Sequence, residues 1–454
     1  MPFVAINPAT EETIAEYPAL DAAGVERALE GAHGAFFKWR GASFSERAAF
    51  MNRAAELLES EIPVVAELMT SEMGKTFAAA KGEALKCATT MRYFAEHAEV
   101  MLQSEDLPTK GRRSGLRYEP IGAIFAVMPW NFPLWQVVRM AVPTIMAGNV
   151  VVFKHAPNVP GCARYIEDLF VRAGFPSGVL TTVFVEVDQV PDIIADARIV
   201  AVSLTGSERA GRSVAAEAGK NLKKCVLELG GSDPFVVASS AEMDLTVSMA
   251  VAARIQNNGQ ACIAAKRFIV VKDRAEEFLA RYAEAMGAVR IGDPMDPASE
   301  MGPLVSSAQR ELLAAQVTSS VQKGARVLVG GEVPERTGYY YPGTVLTDVP
   351  ADARASCEEL FGPVSVVMAA RDLADAIRIA NDTPWGLGAS VWAQDDREID
   401  EAIAGLDVGA VFANAMVASM NELPFGGTKN SGFGRELSAL GAREFTNVKS
   451  YFVA

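Results

Sequence analysis

The first quarter of the chain predicts a set of helices, because its apolar residues recur at helical spacing between polar ones. Asp21 can cap a first helix that ends near Trp39. Three more helices are predicted over residues 43–58, 63–73 and 77–101. The last of them is long, rich in alanine and amphipathic.

From residue 122 onward, short apolar runs alternate with helical segments. The apolar runs predict strands over residues 122–128, 149–153, 179–184 and 199–204. The segments between them predict helices over residues 133–147, 159–173, 188–196 and 207–218. This alternation predicts a parallel sheet with helices on both faces. Such sheets bind ligands at the carboxyl ends of their strands.

A second series of the same kind begins after Gly230 and Gly231 and ends near Gly427. Its predicted strands cover residues 233–237, 267–271, 326–329, 364–368 and 390–393. Its predicted helices cover residues 242–257, 274–288 and 372–381. We therefore predict an α/β protein with two Rossmann-like, doubly wound domains.

Two further segments predict a small β element. The basic stretch Lys110–Gly115 lies between two extended pieces and predicts a protruding hairpin, and residues 445–453 predict a terminal strand. A terminal strand with an unpaired edge pairs readily with another chain. We therefore expect residues 106–119 and 436–454 to form an oligomerisation element, in a homodimer or a dimer of dimers.

Composition narrows the class of protein. The 454 residues allow two or three domains, and a net charge of −14 argues against nucleic acid or an anionic membrane as a partner. The five cysteines are scattered and include no CxxC pair, and the three histidines stand apart, so we expect no disulfide framework and no metal. Without a signal-like N-terminus or a membrane-length apolar run, the expected location is the cytoplasm.

Two stretches suggest a nucleophile and a base. Cys262 ends the run Asn257–Cys262, which breaks regular structure just before a predicted strand. Glu228 stands in an apolar run that ends in two glycines, where a carboxylate is costly to bury. A buried structural thiol and a structurally paired carboxylate are the alternatives. A thiol and an acid in apolar settings nevertheless suit nucleophilic catalysis.

Other candidates lie where predicted strands end. Asn131 is held between two prolines and can aim its amide at an oxyanion, unless the turn only packs its tryptophan. Lys154 can reach a phosphate or a ribose, or it is an ordinary surface lysine. Ser207 opens a helix whose N-terminus can bind phosphate, although no GxGxxG fingerprint is present. Glu359 precedes a Gly-Pro turn and can accept from a ribose hydroxyl, or lies in a solvated loop.

Taken in order along nearly the whole chain, these motifs resemble those of the aldehyde dehydrogenase superfamily. The matching stretches are PWNFP at 129–133, LTGSERAG at 204–211, LELGG at 227–231, NNGQAC at 257–262, EELFGPV at 358–364 and PFGG at 424–427. The resemblance implies a cofactor-binding domain (1–105 and 120–229) and a catalytic domain (230–427). It also implies that Cys262 attacks the aldehyde, that Asn131 holds the oxyanion, and that Glu228 activates water.

For the cofactor, the resemblance implies Lys154 and Ser207 near the adenosine end and Glu359 on the nicotinamide ribose. The remaining residues expected to line the cofactor site are Trp130, Gly206, Leu229 and Phe361. Many NAD-preferring members carry a glutamate where this chain has Pro157. Without that carboxylate, a 2′-phosphate meets no like charge, so we expect NADP and leave NAD open.

For the substrate, the motif spacings and the short N-terminus resemble those of the compact bacterial succinate-semialdehyde dehydrogenases. In that group Arg139 and Ser419 match residues that bind the distal carboxylate, and Trp135 is expected to wall the tunnel. Gln256 stands where some members have an arginine, which leaves a broader aliphatic or semialdehyde dehydrogenase as an alternative. A non-catalytic relative and a coenzyme A-dependent acylating enzyme are disfavoured, because Cys262 and Glu228 are both present.

Overall fold

Four helices and an antiparallel hairpin form the first part of the computed structural model, which describes residues 2–454. The elements are β1 (Phe3–Ile6), β2 (Thr13–Tyr17), α1 (Ala22–Trp39), α2 (Phe44–Ser60), α3 (Ile62–Met73), α4 (Phe77–Met101), β3 (Glu105–Asp106) and β4 (Arg113–Pro120). Asp21 caps α1 as predicted, by accepting from the Gly24 N–H at 2.7 Å. The hairpin β1–β2 was not predicted, because β2 is largely exposed and shows no apolar alternation.

Residues 123–228 alternate strands and helices. The elements are β5 (Ala123–Val127), α5 (Trp135–Met146), β6 (Val150–Lys154), α6 (Pro160–Arg172), β7 (Leu180–Thr182), α7 (Val190–Ala195), β8 (Ile199–Thr205), α8 (Glu208–Lys220) and β9 (Lys224–Glu228). Every predicted strand and helix of this series is present. All residues of α5 are buried, so its polar side chains, including Gln136 and Arg139, lie inside the protein.

Residues 234–413 form the second series. The elements are β10 (Pro234–Val237), α9 (Met243–Ile255), β11 (Arg267–Val271), α10 (Lys272–Gly287), α11 (Ser307–Gln322), β12 (Arg326–Val329), β13 (Thr344–Thr347), α12 (Arg354–Cys357), β14 (Val364–Ala370), α13 (Leu373–Asn381), β15 (Trp385–Gly386), β16 (Gly388–Trp392), α14 (Asp396–Gly405) and β17 (Ala410–Ala413). The sequence analysis missed α11, α12, α14, β13, β15 and β17.

The C-terminal segment returns to the elements that came first. It contains β18 (Thr428–Lys429), β19 (Gly432–Phe433), α15 (Ser438–Glu444) and β20 (Thr446–Val453). The first sheet has the order β19-β9-β8-β5-β6-β7, in which only β19 runs antiparallel to its neighbour. The second sheet has the order β12-β13-β14-β11-β10-β16-β17, in which only β12 is antiparallel. These two largely parallel sheets match the predicted α/β class.

The sequence analysis expected a terminal strand with an unpaired edge. In the structure this strand, β20, has a partner within the chain along one of its two edges. Strand β20 pairs with β4 along its full length, from Thr446 opposite Pro120 to Val453 opposite Arg113, and β3 pairs with β4 on the other side. The predicted hairpin and the predicted tail are therefore partners within one chain, and β20 is an edge strand whose other edge has no partner among residues 2–454. Among residues 2–454, no helix has the length and apolarity that crossing a membrane requires.

Candidate active site

The loop that carries Cys262 has an unusual backbone. It follows α9 as a short 3-10 turn in which Asn257, Asn258 and Gly259 have φ of 55°, 57° and 74°. Left-handed backbone costs a non-glycine residue about 1 kcal/mol or more. At Gly259 a Cβ atom would stand 2.4 Å from the backbone of Gly362, so only glycine fits there. The loop therefore needs strong local contacts to keep its shape.

The side chain of Asn258 supplies the first of these contacts. Its amide donates to the carbonyl oxygens of Gly74 at 2.8 Å and Pro303 at 2.9 Å. Its oxygen accepts from the Gly302 N–H at 2.9 Å. All three bonds are buried, and a buried amide is costly to leave unpaired. They tie the loop to the end of α3, at Gly74, and to the segment before α11.

Lys266 and Asn257 hold the loop on its other side. The buried ammonium of Lys266 donates to the Ala261 oxygen at 3.1 Å and to the Cys262 oxygen at 2.7 Å. The amide of Asn257 donates to the Asn131 carbonyl at 2.7 Å. The two stretches that the sequence singled out, at 129–133 and 257–262, are therefore in direct contact.

Cys262 is half-buried and stands where two cavities meet, each of about 270 Å³. We name them the Trp130 cavity and the Trp135 cavity. Of the predicted site residues, the Trp130 cavity is lined by Trp130, Asn131, Gly206, Ser207, Glu228, Leu229, Glu359 and Phe361. The Trp135 cavity is lined by Trp135, Arg139 and Ser419. One thiol can therefore face two different ligands from opposite sides.

Two predicted cofactor residues lie outside the Trp130 cavity, at the end of β6. Lys154 is buried, its ammonium donates to the His155 oxygen at 3.4 Å, and burial lowers its pKa. Pro157 follows in an exposed turn. The Trp130 cavity lies at the carboxyl ends of β5, β8 and β9, and β6 ends beside β5. Lys154 and Pro157 thus stand at the same sheet edge.

The carboxylate of Glu359 explains the two glycines that follow Glu228 and Leu229. Its Oε1 accepts from the Gly231 N–H at 3.1 Å and lies 3.4 Å from the ammonium of Lys266. At Gly230 a Cβ atom would stand 2.2 Å from Oε2 of Glu359. Glycine at 230 therefore lets the acid enter the Trp130 cavity.

The surroundings of Cys262 favour the protonated thiol over the thiolate. Burial raises its pKa to about 11, although the positive charges of Arg139 and Lys266 act in the opposite direction. A nucleophilic attack therefore needs a group that takes the thiol proton.

Glu228, which lines the Trp130 cavity together with Cys262, is a candidate for such a group. It ends β9, is 2% exposed, and neither carboxylate oxygen has a hydrogen-bond partner among residues 2–454. Burial raises its pKa well above the usual range, and the charge of Glu436 raises it further, while Arg139 lowers it. A carboxyl group of this kind can take a proton near neutral pH.

The amide of Asn131 is oriented for donation. Its oxygen accepts from the Gln136 amide at 3.4 Å, and its nitrogen donates to the Gln260 carbonyl at 3.1 Å. The second N–H hydrogen of this amide has no partner within the described chain, and the side chain lines the Trp130 cavity next to Cys262. It can donate to an oxyanion there.

Of the polar residues of the site that were not predicted, four have defined roles in its geometry: Lys86, Gln136, Lys266 and Glu436. Gln136 lines both cavities, and Glu436 forms a buried ion pair with Arg139. Gln136 could have been found from its place five residues after Asn131, on a helix that proves to be buried throughout. The other three carry no local signal, because nothing in the neighbouring residues shows that they face Cys262.

The arrangement suits a dinucleotide on one side of the thiol and a small substrate on the other. Ser207 caps α8 by accepting from the Ala210 N–H at 3.3 Å, and the helix N-terminus faces the Trp130 cavity, where it can hold phosphate. We find no candidate ligand set for a metal ion: among residues 2–454, no three His, Cys, Asp or Glu side chains form a cluster that could hold one.

Comparisons with known proteins agree with this arrangement. The model of the aldehyde dehydrogenase family matches residues 2–451. The chain is 49% identical over 459 residues to succinate-semialdehyde dehydrogenase [NADP(+)] 1 of Mycobacterium tuberculosis, and 47% identical over 457 residues to that of Mycobacterium leprae, with 100% of both chains covered each time. The crystal structure of succinic semialdehyde dehydrogenase from Streptococcus pyogenes in complex with NADP+ has a TM-score of 0.97 at 36% identity, covering 99% of each chain. The predicted fold class and the family resemblance are confirmed.

Alkylation of Cys262 tests the state of the thiol. In the cofactor-free protein, the rate of reaction with iodoacetamide is expected to rise about tenfold per pH unit from pH 7 to about 10, because the pKa is raised to about 11. The rate is measured by mass spectrometry of the peptide that contains Cys262 after timed quenching. The urea-unfolded protein is the control and should level off earlier. A plateau at or below about pH 9 in the folded protein would contradict the protonated resting thiol.

Proposed function

Since the chain belongs to the aldehyde dehydrogenase family, we propose that it oxidises succinate semialdehyde to succinate and reduces NADP. The observation that carries the proposal is the position of Cys262 between the Trp130 cavity and the Trp135 cavity. The curated relatives at 49% and 47% identity are named for this substrate and this cofactor. The reaction is non-acylating, so the acid leaves by hydrolysis.

The first half of the reaction forms a bond to Cys262. Its thiolate attacks the aldehyde carbon, and the thiol proton moves to the carboxylate of Glu228. The Asn131 amide and the backbone N–H of Cys262 donate to the new oxyanion of the thiohemiacetal. The bound nicotinamide supplies a hydride acceptor, and loss of hydride from the thiohemiacetal carbon leaves a thioester on Cys262.

The second half releases the acid. After it has passed the thiol proton to solvent, the carboxylate of Glu228 takes a proton from a water molecule, which attacks the thioester carbonyl. The tetrahedral oxyanion is again held by Asn131, and it collapses with Cys262 leaving as thiolate. The raised pKa of Glu228 suits this step, because an ordinary carboxylate would be too weak a base.

The chain's own residues fit the proposed cofactor. The N-terminus of α8 with Ser207 would hold phosphate, Trp130, Leu229 and Phe361 would pack against the rings, and Glu359 would accept from the nicotinamide ribose. At the end of β6, the turn at Pro157 offers no carboxylate to repel a 2′-phosphate, and the ammonium of Lys154 lies nearby. This charge balance favours NADP over NAD.

On the other side of the thiol, we assign the Trp135 cavity to the aldehyde. Trp135 would wall the chain of the substrate, and Arg139 and Ser419 would donate to its distal carboxylate. One observation favours a second candidate, a broader aliphatic or semialdehyde dehydrogenase. Gln256 lines the cavity without a charge, and the guanidinium of Arg139 is already paired with Glu436.

Assembly and location complete the proposal. We infer a homodimer or a dimer of dimers that uses the small sheet β20-β4-β3, where the side chains of Val448 and Phe452 are exposed. A cytoplasmic location is in keeping with five free cysteines in the described chain.

The role of Glu228 is tested by Glu228→Gln. The variant should release at most one reduced cofactor per active site, in a burst slower than that of the wild type because an amide cannot take the thiol proton. Turnover should then slow by about a hundredfold or more, because an amide cannot take the proton of water either. Rapid-mixing absorbance at 340 nm measures both phases. Glu56→Gln, at an exposed position on α2, is the matched control. Steady turnover of Glu228→Gln at the wild-type rate would reject Glu228 as the base.

The substrate is tested by initial rates with succinate semialdehyde and with butanal, an uncharged aldehyde of the same length. For the proposed function, kcat/KM should favour succinate semialdehyde by about a hundredfold, which corresponds to about 2.7 kcal/mol. Equal values for the two aldehydes would favour the broader aldehyde dehydrogenase instead.

The cofactor preference is tested by Pro157→Glu. The new carboxylate should lower kcat/KM for NADP by about tenfold or more and leave that for NAD little changed, because it repels only the 2′-phosphate. Pro157→Gln has the same shape without the charge and should keep the NADP preference. An unchanged NADP-to-NAD ratio in Pro157→Glu would place the 2′-phosphate away from this turn.

A further inference from the structure

Lys86 brings a positive charge into the Trp135 cavity from the side opposite to Cys262. It lies on α4, half-buried, and its ammonium donates to the hydroxyl of Ser419 at 2.8 Å. The same ammonium stands 4.2 Å from the centre of the Trp135 ring. Both partners are neutral, so neither cancels the charge.

The acids near Lys86 are engaged elsewhere. Glu83 forms a buried ion pair with Lys75, and its other oxygen accepts from the backbone N–H groups of Leu134 and Trp135 at 2.9 Å each. Glu422 is exposed beyond Ser419. Among residues 2–454, no carboxylate lies within ion-pair distance of the Lys86 ammonium.

Arg139, the cation first expected to bind the carboxylate, is in a different position. It is 2% exposed, pairs with Glu436, donates to the Thr205 hydroxyl at 3.4 Å, and stacks on Phe425. Together with Glu436 it brings no net charge to the cavity. Its positive charge also lowers the pKa values of Cys262 and Glu228.

Lys86 and Ser419 also mark the entrance of the Trp135 cavity. They line a second, outer cavity of about 370 Å³ as well, together with Thr89, Thr90 and Asn421. A molecule that moves from this outer cavity towards Cys262 therefore passes the Lys86–Ser419 contact.

We propose that Lys86, with Ser419, binds the distal carboxylate of the aldehyde and thereby determines the preference for ω-carboxy aldehydes. The proposal rests on the proposed function, because it assigns the carboxylate of that substrate to a cation. In succinate semialdehyde only two methylene groups separate the aldehyde from the carboxylate. The substrate would thus lie along the Trp135 ring, with its aldehyde at Cys262 and its carboxylate at Lys86.

The titration of Lys86 agrees with this role. Burial lowers its pKa to about 8, and Arg139 on α5 lowers it too, while Glu83 and Cys87 on α4 act in the opposite direction. Ser419 and Trp135, which also face the ammonium, do not titrate near this pH. An uncompensated cation of this kind gains most from a bound anion, which would restore its ordinary pKa.

Kinetics of Lys86→Met test the proposal with succinate semialdehyde and butanal. The variant removes the charge and keeps the length of the side chain. The ratio of kcat/KM for the two aldehydes should fall by roughly tenfold to a hundredfold, the loss of one charge-assisted hydrogen bond, through KM for succinate semialdehyde. Lys81→Met, at an exposed position on the same helix, is the matched control and should keep the wild-type ratio.

Lys86→Arg keeps the charge and should retain most of the preference. If Lys86→Met keeps the wild-type ratio of kcat/KM for the two aldehydes, whether or not both values fall, the proposal for Lys86 is wrong while the proposed function stands. If the wild type itself does not prefer succinate semialdehyde, both fail.

A binding measurement without turnover gives an independent check. Calorimetric titration of the cofactor-free protein with succinate should show weaker binding in Lys86→Met than in the wild type. Wild-type binding should also weaken between pH 7 and pH 9, because Lys86 loses its proton around pH 8. Equal succinate affinity in both proteins, or no change with pH, would overturn the assignment of the carboxylate to Lys86.

Discussion

The left-handed backbone at Asn257, Asn258 and Gly259 is the constraint on which the site depends. It costs free energy locally, and it persists because buried amide side chains on the loop bond to backbone groups far away in sequence. The result is a thiol at a fixed point between two cavities. Those contacts reach the end of α3, the Asn131 turn and the segment before α11, so the loop is anchored to three separate parts of the chain.

Burial then sets the chemistry at that point. A dry environment disfavours both the thiolate of Cys262 and the carboxylate of Glu228, so each pKa is raised. Arg139 partly opposes this effect for both groups, and Glu436 limits how far it does so by pairing with it. The pair thus limits how far burial raises the pKa values of the two reacting groups. The uncompensated cation of the Trp135 cavity, Lys86, stands at its other end.

The sequence correctly predicted the fold class, the helix Phe77–Met101 with its bounds, and the position of Cys262 on a turn before a strand. These features depend on the local pattern of apolar and polar residues. It missed α11, whose buried face mixes Leu313 and Val317 with Gln316 and Ser320 and so shows no apolar stripe. It also missed the roles of Lys86 and Glu436. Whether a charged side chain faces a cavity is decided by tertiary contacts, and one lysine on α4 looks much like another in the sequence.

The C-terminal segment supplies residues of the site that are synthesised last. Lys86 and Ser419 are 333 residues apart, Arg139 and Glu436 are 297 apart, and β20 pairs with a strand near residue 120. During synthesis, the first sheet can form long before these partners leave the ribosome. Until then the Trp135 cavity lacks one wall and Arg139 lacks its counter-ion. We therefore expect a nascent chain to be inactive until the segment that carries Ser419 and Glu436 has been made, and the entropy of closing such long loops to slow the completion of the site.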